Sequence, residues 1–229
     1  IYFVFNRDYG KLINRYIRCE TKSIGSLRNN FVPKRITKKK MTILFLSQFR
    51  KNQPSHDNYL VERKLLPMLY KYCQFKKYSF FILGCSVTRS QEEEFFFKSI
   101  IGYNNWKFLK RKNYPKNYQL VDKFENIVFV DSTLGYEAIM RQKKVAVFSL
   151  RKLHNNGKSE KFGFPSKLKP RGFFYSNSCS YDEIKRVLDN VTNYSEKKWK
   201  SKILSKLNQF MCFDKNNTLL KKEIVNYVN

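Results

Sequence analysis

Short apolar runs recur along this chain, each followed by a segment with helical spacing, and that rhythm constrains the fold more than any other feature. Residues 41–46 (MTILFL), 79–83 (SFFIL), 127–130 (IVFV) and 144–150 (KVAVFSL) are largely apolar instead of alternating, as expected of strands covered on both faces. Residues 106–109 add a weaker strand and 172–175 a short last one. Across 56–74, Val61, Leu65, Leu66, Leu69 and Tyr72 share one helical face, and Pro67 should kink that helix. Ser90-Gln91-Glu92-Glu93 reads as a capping box, with Ser90 at the N-cap and Glu93 at N3 of a helix running to about residue 101. Further helices are expected over 118–124, 134–142, 181–189, 196–210 and 219–227. Strand and helix alternating at such intervals imply an α/β fold: a parallel sheet, right-handed crossovers and helices on both faces.

Three parts follow from the pattern. Residues 1–40, with a strand at 2–5 and a helix at 9–19, read as the tail of a preceding, mostly missing N-terminal domain plus a linker. Residues 41–190 form the main α/β domain, and 191–229 a set of C-terminal helices. In such sheets ligands bind at the carboxyl ends of the strands, where the topology switches. The segments to watch are therefore 47–50, 84–86, 131–135 and the chain from Arg151 onward.

Composition bounds the partners. The formal net charge is +28, yet the lysines are scattered and Lys, Asn, Ile, Tyr and Phe are enriched together. That is the mark of an A+T-rich coding sequence with a solvated basic surface, not of a nucleic-acid-binding stripe. Attraction to an anionic membrane face stays open as a peripheral contact. The five cysteines are far apart and form no CxxC pair, so reduced thiols are expected instead of a zinc or disulfide framework. No apolar run is long enough to cross a bilayer. The expectation is a cytoplasmic protein, peripheral at most on the inner membrane face. His56 and His154 have no metal-ligand spacing and read as surface residues.

The densest chemistry lies in VFVDSTLGYE, residues 128–137. A buried strand delivers Asp131, Ser132 and Thr133 to the sheet rim, and a helix starts at once. The bare amides of its first turn, with the two hydroxyls, make a phosphate site. Gly135 clears space for a ligand or a backbone, Tyr136 stands beside it, and Glu137, one turn in, can accept from a ribose. The bland alternative is a plain N-cap at Asp131 or Ser132. Ser47, Gln48 and Arg50 end the first main strand and Arg151 the fifth; the arginines offer a bidentate fork to phosphate or carboxylate. Glu93 and Glu94 are weak general-base candidates, though acids favour a helix start for stability alone. Phe162 and Gly163, in KFGFP at 161–165, could form a lid or a stacking platform.

These motifs carry a resemblance. IGSLRN (24–29), LFLSQFR (44–50), ERKLLPMLYKYC (62–73), EEEFFF (92–97), FVDSTLGYEAIMRQKKVAVFSLR (129–151) and KFGFP (161–165) occur in fitting order. Together they resemble the C-terminal half of GT-B-type glycosyltransferases of bacterial capsule and lipopolysaccharide synthesis. The resemblance implies a Rossmann-like domain that binds a nucleotide-sugar donor, with a CMP-activated acidic sugar of the Kdo type as one such donor. It implies phosphates on the helix opening at Ser132-Thr133, the ribose or base near Glu137, and no metal or other cofactor. The acceptor would be a glycan or a lipid-linked glycan, and its binding and the catalytic base belong to the N-terminal half. Other readings are a sugar-nucleotide 2-epimerase, a glycerol-phosphate transferase and a non-catalytic basic binding domain.

Overall fold

The computed structural model describes residues 1–34, 39–49, 58–150, 162–163, 168–204 and 207–228. The chain opens with β1 (Tyr2–Val4), α1 (Arg7–Ile13), β2 (Thr21–Ser23) and α2 (Leu27–Phe31). The main sheet follows as β3 (Lys39–Leu46), α3 (Asn58–Phe75), β4 (Ser79–Leu83), α4 (Ser90–Ile101) and β5 (Trp106–Leu109). It continues through α5 (Lys116–Asp122), β6 (Phe124–Phe129), α6 (Thr133–Met140), β7 (Lys144–Phe148) and β8 (Tyr175–Ser176). The helices α7 (Tyr181–Asn193), α8 (Glu196–Leu204), α9 (Leu207–Phe210) and α10 (Thr218–Val228) complete it.

The six-stranded sheet has the order β5-β4-β3-β6-β7-β8, and its pairings are parallel throughout. Its central strands are apolar runs because both faces are covered: Ile43 to Leu46, Ile127 to Phe129 and Val145 to Phe148 are almost wholly buried. The chain enters at β3, works outward to β5, then crosses back and works the other way from β6. Right-handed crossovers in opposite directions place their helices on opposite faces. Accordingly α3 contacts α4 and α7, whereas α6 contacts α5 and α9. The order reverses between β3 and β6, which is where a crevice opens at the carboxyl edge of such a sheet.

Several expectations shift by a few residues. Asn6 caps α1 by accepting from the Tyr9 amide at 2.9 Å, so that helix starts before residue 9 and ends at Ile13. α3 continues through Pro67. The last strand lies at 175–176 and not 172–175, because Phe173 and Phe174 turn inward against Trp199. The long helix expected over 196–210 is described as α8 and α9, with 205–206 outside the described residues.

The first segment docks onto the last. β1 and β2 form their own parallel pair. The Cys212 amide donates to Phe5 O at 2.7 Å, Gly25 bridges Phe213, and the buried Asn6 side chain donates to Gln209 O and Phe210 O. A buried ion pair joins this segment to the sheet. Arg141, just past α6, donates from Nε to Asp122 at 2.8 Å and from its terminal nitrogens to Asp122, Asn29 Oδ1, Val32 O and Pro33 O. Both side chains are essentially inaccessible, at 0% and 1% exposure.

Candidate functional site

The strand reversal brings two expected segments together. In the β3–β6 pairing Phe45 stands opposite Val128, so the next residues, Ser47-Gln48 on one strand and Val130-Asp131 on the other, leave the sheet side by side. α6 opens directly from this edge. Its N-cap, Ser132, is extended (φ −63°, ψ 129°) and its hydroxyl makes no capping bond. The Gly135 amide turns back to Ser132 O at 2.8 Å, which leaves the Thr133 and Leu134 amides without a partner inside the helix. Thr133 is exposed and Asp131 and Ser132 are half-buried, so this end of the helix is reachable from solvent.

The rest of the DSTLGYE motif is used differently from expectation. Gly135 faces no open space: a Cβ there would come within 2.3–2.5 Å of the Phe129 ring. Phe129 is fully buried and cannot retreat, so glycine is demanded by close packing of helix on strand. Gly135→Ala should therefore destabilise the chain by about 1–3 kcal/mol through overpacking. Chemical denaturation would measure it, and a loss below about 0.3 kcal/mol would contradict the packing argument.

Glu137 is also committed internally. Its Oε1 accepts from the hydroxyls of Ser26, the N-cap of α2, at 2.5 Å and of Tyr118 at 3.0 Å. Burial raises its carboxyl above the usual range, and the two hydroxyls pull it partly back. The carboxylate faces the docked N-terminal segment, not a ribose beside the helix end. Tyr136 likewise packs: its ring stacks on Phe162 at 5.6 Å and its hydroxyl accepts from the Gly163 amide at 3.5 Å.

One strand over, the rim carries two buried carboxylates. Glu93, fully buried on α4, accepts from the Cys85 amide at 2.9 and 3.1 Å and from the Ser86 amide at 3.4 Å. It therefore does not close a capping box with Ser90; the helix N-cap is Arg89, which makes no side-chain bond. The non-local amides win because the β4 turn runs directly over the helix start. Glu62, 2% exposed in the first turns of α3, accepts from the Gln48 amide at 3.2 Å, and its Oε2 has no hydrogen-bond partner. Burial, helped by the charge of Glu93, pushes its carboxyl up to about 8. The Cys85 thiol donates to Phe49 O at 2.9 Å and ties the two rim turns together. Burial and both glutamates push that thiol up to about 12. Sequence reasoning passed over Glu62. Its signal was a carboxylate on the apolar stripe, three and four residues before Leu65 and Leu66.

A family model described as "putative O-antigen biosynthesis protein" matches residues 1–228. The chain belongs to that family.

No curated protein matches this family member's sequence. Solved structures do. TarM of S. aureus, in complex with fondaparinux, α-GlcNAc-glycerol and UDP, aligns at TM-score 0.53 and 14% identity over 99% of this chain and 43% of its own. The accessory secretory protein 1, 2 and 3 structure from Streptococcus pneumoniae aligns at 0.59 and 12% over 98% and 42%. UDP-GlcNAc 2-epimerase of Methanocaldococcus jannaschii, bound to UDP-GlcNAc and UDP, aligns at 0.52 and 12% over 84% and 46%. At such identities the likeness is one of fold, and it agrees with the parallel α/β architecture expected. The chain spans less than half the length of each of these three structures.

In this O-antigen family member the remaining expected site residues lie elsewhere or beyond description. Glu94 pairs with Lys98 at 2.9 Å, one turn along the α4 surface. Phe162 is no exposed platform: it is 1% exposed, with Tyr136, Phe174, Tyr175 and Phe210 around it. Gly163 is buried at φ +82°, with Leu168 where a Cβ would stand. Arg50 and Arg151 lie outside the described residues, as do His56 and His154. Among the described residues no group of three or more His, Cys, Asp or Glu is placed to hold a metal ion, and no helix is long and apolar enough to cross a membrane.

Proposed function

We propose that this chain is the donor-binding half of a glycosyltransferase of O-antigen synthesis, and that it holds a nucleotide-activated sugar at the β3–β6 reversal. The observation that carries the reading is the uncapped start of α6 at that reversal. Backbone amides with a helix dipole behind them suit a diphosphate or a sugar nucleotide's single phosphate. The same groups stabilise the charge that develops on the leaving phosphate as the glycosidic bond to it breaks. The hydroxyls of Ser132 and Thr133 stand beside those amides, and the turn at Ser47-Gln48 lies next to them at the rim. In this reading no metal is required.

The finer proposal is a CMP-activated acidic sugar, with a glycan or lipid-linked glycan as acceptor. Acceptor binding and the catalytic base fall to the part that the matched structures carry beyond this chain's span. With Glu137 engaged by Ser26 and Tyr118, the ribose is left to the rim on the β3 side.

Removal of both hydroxyls in Ser132→Ala/Thr133→Ala should weaken nucleotide binding about thirtyfold, at roughly 1 kcal/mol for each hydrogen bond lost. Titration calorimetry checks it, after a thermal-shift screen of CMP, UDP, GDP and CDP derivatives has picked the nucleotide. Unchanged affinity in the double variant would move the phosphates away from α6. Product analysis with an acceptor present separates transfer from 2-epimerisation.

A further inference from the structure

Glu62 and Glu93 reach back from the first turns of neighbouring helices to the turns that follow neighbouring strands. Glu62 accepts from Gln48 after β3, and Glu93 accepts from Cys85 and Ser86 after β4. β3 and β4 pair in register up to Leu46 and Leu83, so the two turns are adjacent, and the Cys85 thiol links them through Phe49 O. Both carboxylates are buried, and among the described residues neither is paired with a cation. Among the described residues, the titratable groups that bear on Glu62 are Glu93 from α4 and Cys85 from the β4 turn.

Two adjacent anions cannot stay in so dry a rim without a cation, because each is penalised by desolvation and by the other's charge. Only one negative charge is tolerable there. The hydrogen bonds decide which carboxylate holds it. Glu93 receives amide bonds from two residues and feels the Ser47 hydroxyl, whereas Glu62 receives one amide and leaves an oxygen unpartnered. Glu62 is thus the neutral acid, and its free oxygen is where the proton resides.

We propose that Glu62 and Glu93 act as one carboxyl pair with a single negative charge that positions the rim turn at Ser47–Phe49, and that ionisation of Glu62 releases this turn. Glu62 is a positioning residue: it acts through Gln48. Its effect on donor binding rests on the functional reading above; its effect on the rim does not. Once ionised, Glu62 has to find water, and the weaker holder yields: the bond to Gln48 breaks while Glu93 stays. The sign of the linkage follows. A carboxyl raised in the folded state from about 4.5 to about 8 adds stability that is complete below the lower value and lost as the pH climbs to the upper one.

Glu62→Gln mimics the neutral acid, since its carbonyl still accepts from Gln48 and it cannot ionise. The test is amide hydrogen exchange at Gln48 and Cys85, compared between wild type and Glu62→Gln at each pH so that intrinsic rates cancel. Near pH 4.5 the two should match. Between about pH 5 and 8 the ratio of wild-type to variant exchange at Gln48 should climb by up to about tenfold per pH unit, and level off above about pH 8. The difference infrared spectrum should show a protonated carboxyl band that bleaches around pH 8 and is missing in the variant. CMP or UDP affinity should fall with pH in wild type only. Equal exchange at every pH, or a carboxyl band already gone at pH 6, overturns the pair. If the exchange behaves as stated and no nucleotide binds at any pH, the pair stands and the donor reading falls. If a nucleotide binds and exchange does not depend on the variant, the donor reading stands and the pair falls.

Discussion

Replacing Arg141 by alanine should cost about 3–5 kcal/mol of stability, the scale for removing one partner of a buried ion pair. The side chain does more than neutralise Asp122. Its Nε and Nη2 meet both carboxylate oxygens, Nη1 satisfies Asn29 Oδ1 and the Val32 carbonyl, and Nη2 also serves the Pro33 carbonyl. Without it a carboxylate at 1% exposure loses its guanidinium and three further acceptors lose their donor. Arg141→Lys should recover little, because an ammonium cannot serve a planar fork and a carbonyl cluster together. Urea denaturation with unchanged m would register the loss. The double variant Asp122→Ala/Arg141→Ala should be less destabilised than the two singles added, since neither charge is then left alone. A loss under about 1 kcal/mol for Arg141→Ala would mean that water replaces the arginine freely. The N-terminal segment would then owe little to this contact.

Phe162→Ala should cost a similar 3–5 kcal/mol, the usual scale for emptying a buried phenylalanine site. The ring stacks on Phe210 at 5.0 Å and 24°, leans on Tyr175 at 4.8 Å, and meets Tyr136 and Phe174 at 5.6 and 5.7 Å. Tyr136, Tyr175 and Phe210 belong to α6, β8 and α9, with Phe174 just before β8, so one side chain holds three elements together. A cavity left at their junction cannot collapse easily, because each neighbour is fixed by its own element. Phe162→Leu keeps most of the volume and should cost less than about 1.5 kcal/mol. Thermal and urea denaturation of the pair of variants would test this. Near-equal stabilities of Phe162→Ala and wild type would show that the ring is not seated as described.

Much of the fold was legible because apolar period is a local property. The runs at 79–83 and 106–109 and the helix over 90–101 coincide with β4, β5 and α4. The parallel sheet followed from strands apolar on both faces. The rim segments after β3 and β6 followed from the rule that ligands gather at carboxyl ends, and the strand order places them side by side. What local reading missed lies in long-range partnerships. Glu93 looked like a capping residue because it sits three residues after a serine, yet its oxygens turned to Cys85 and Ser86. Phe162 sat in a polar segment and looked exposed, yet four aromatic rings from distant parts of the chain enclose it. Gly135 looked like room for a ligand, and the room is filled by Phe129.

The sequence alone determined the α/β alternation and the strand-to-helix start at Asp131–Thr133, because both are set by residues a few positions apart. Tertiary structure alone decided that Glu137 serves Ser26 and Tyr118, and that Glu62 and Glu93 hold the adjoining turns after β3 and β4. Those outcomes depend on which strands lie next to each other and in what register. Strand order and register are fixed by packing across the whole sheet, not by any single stretch of the chain.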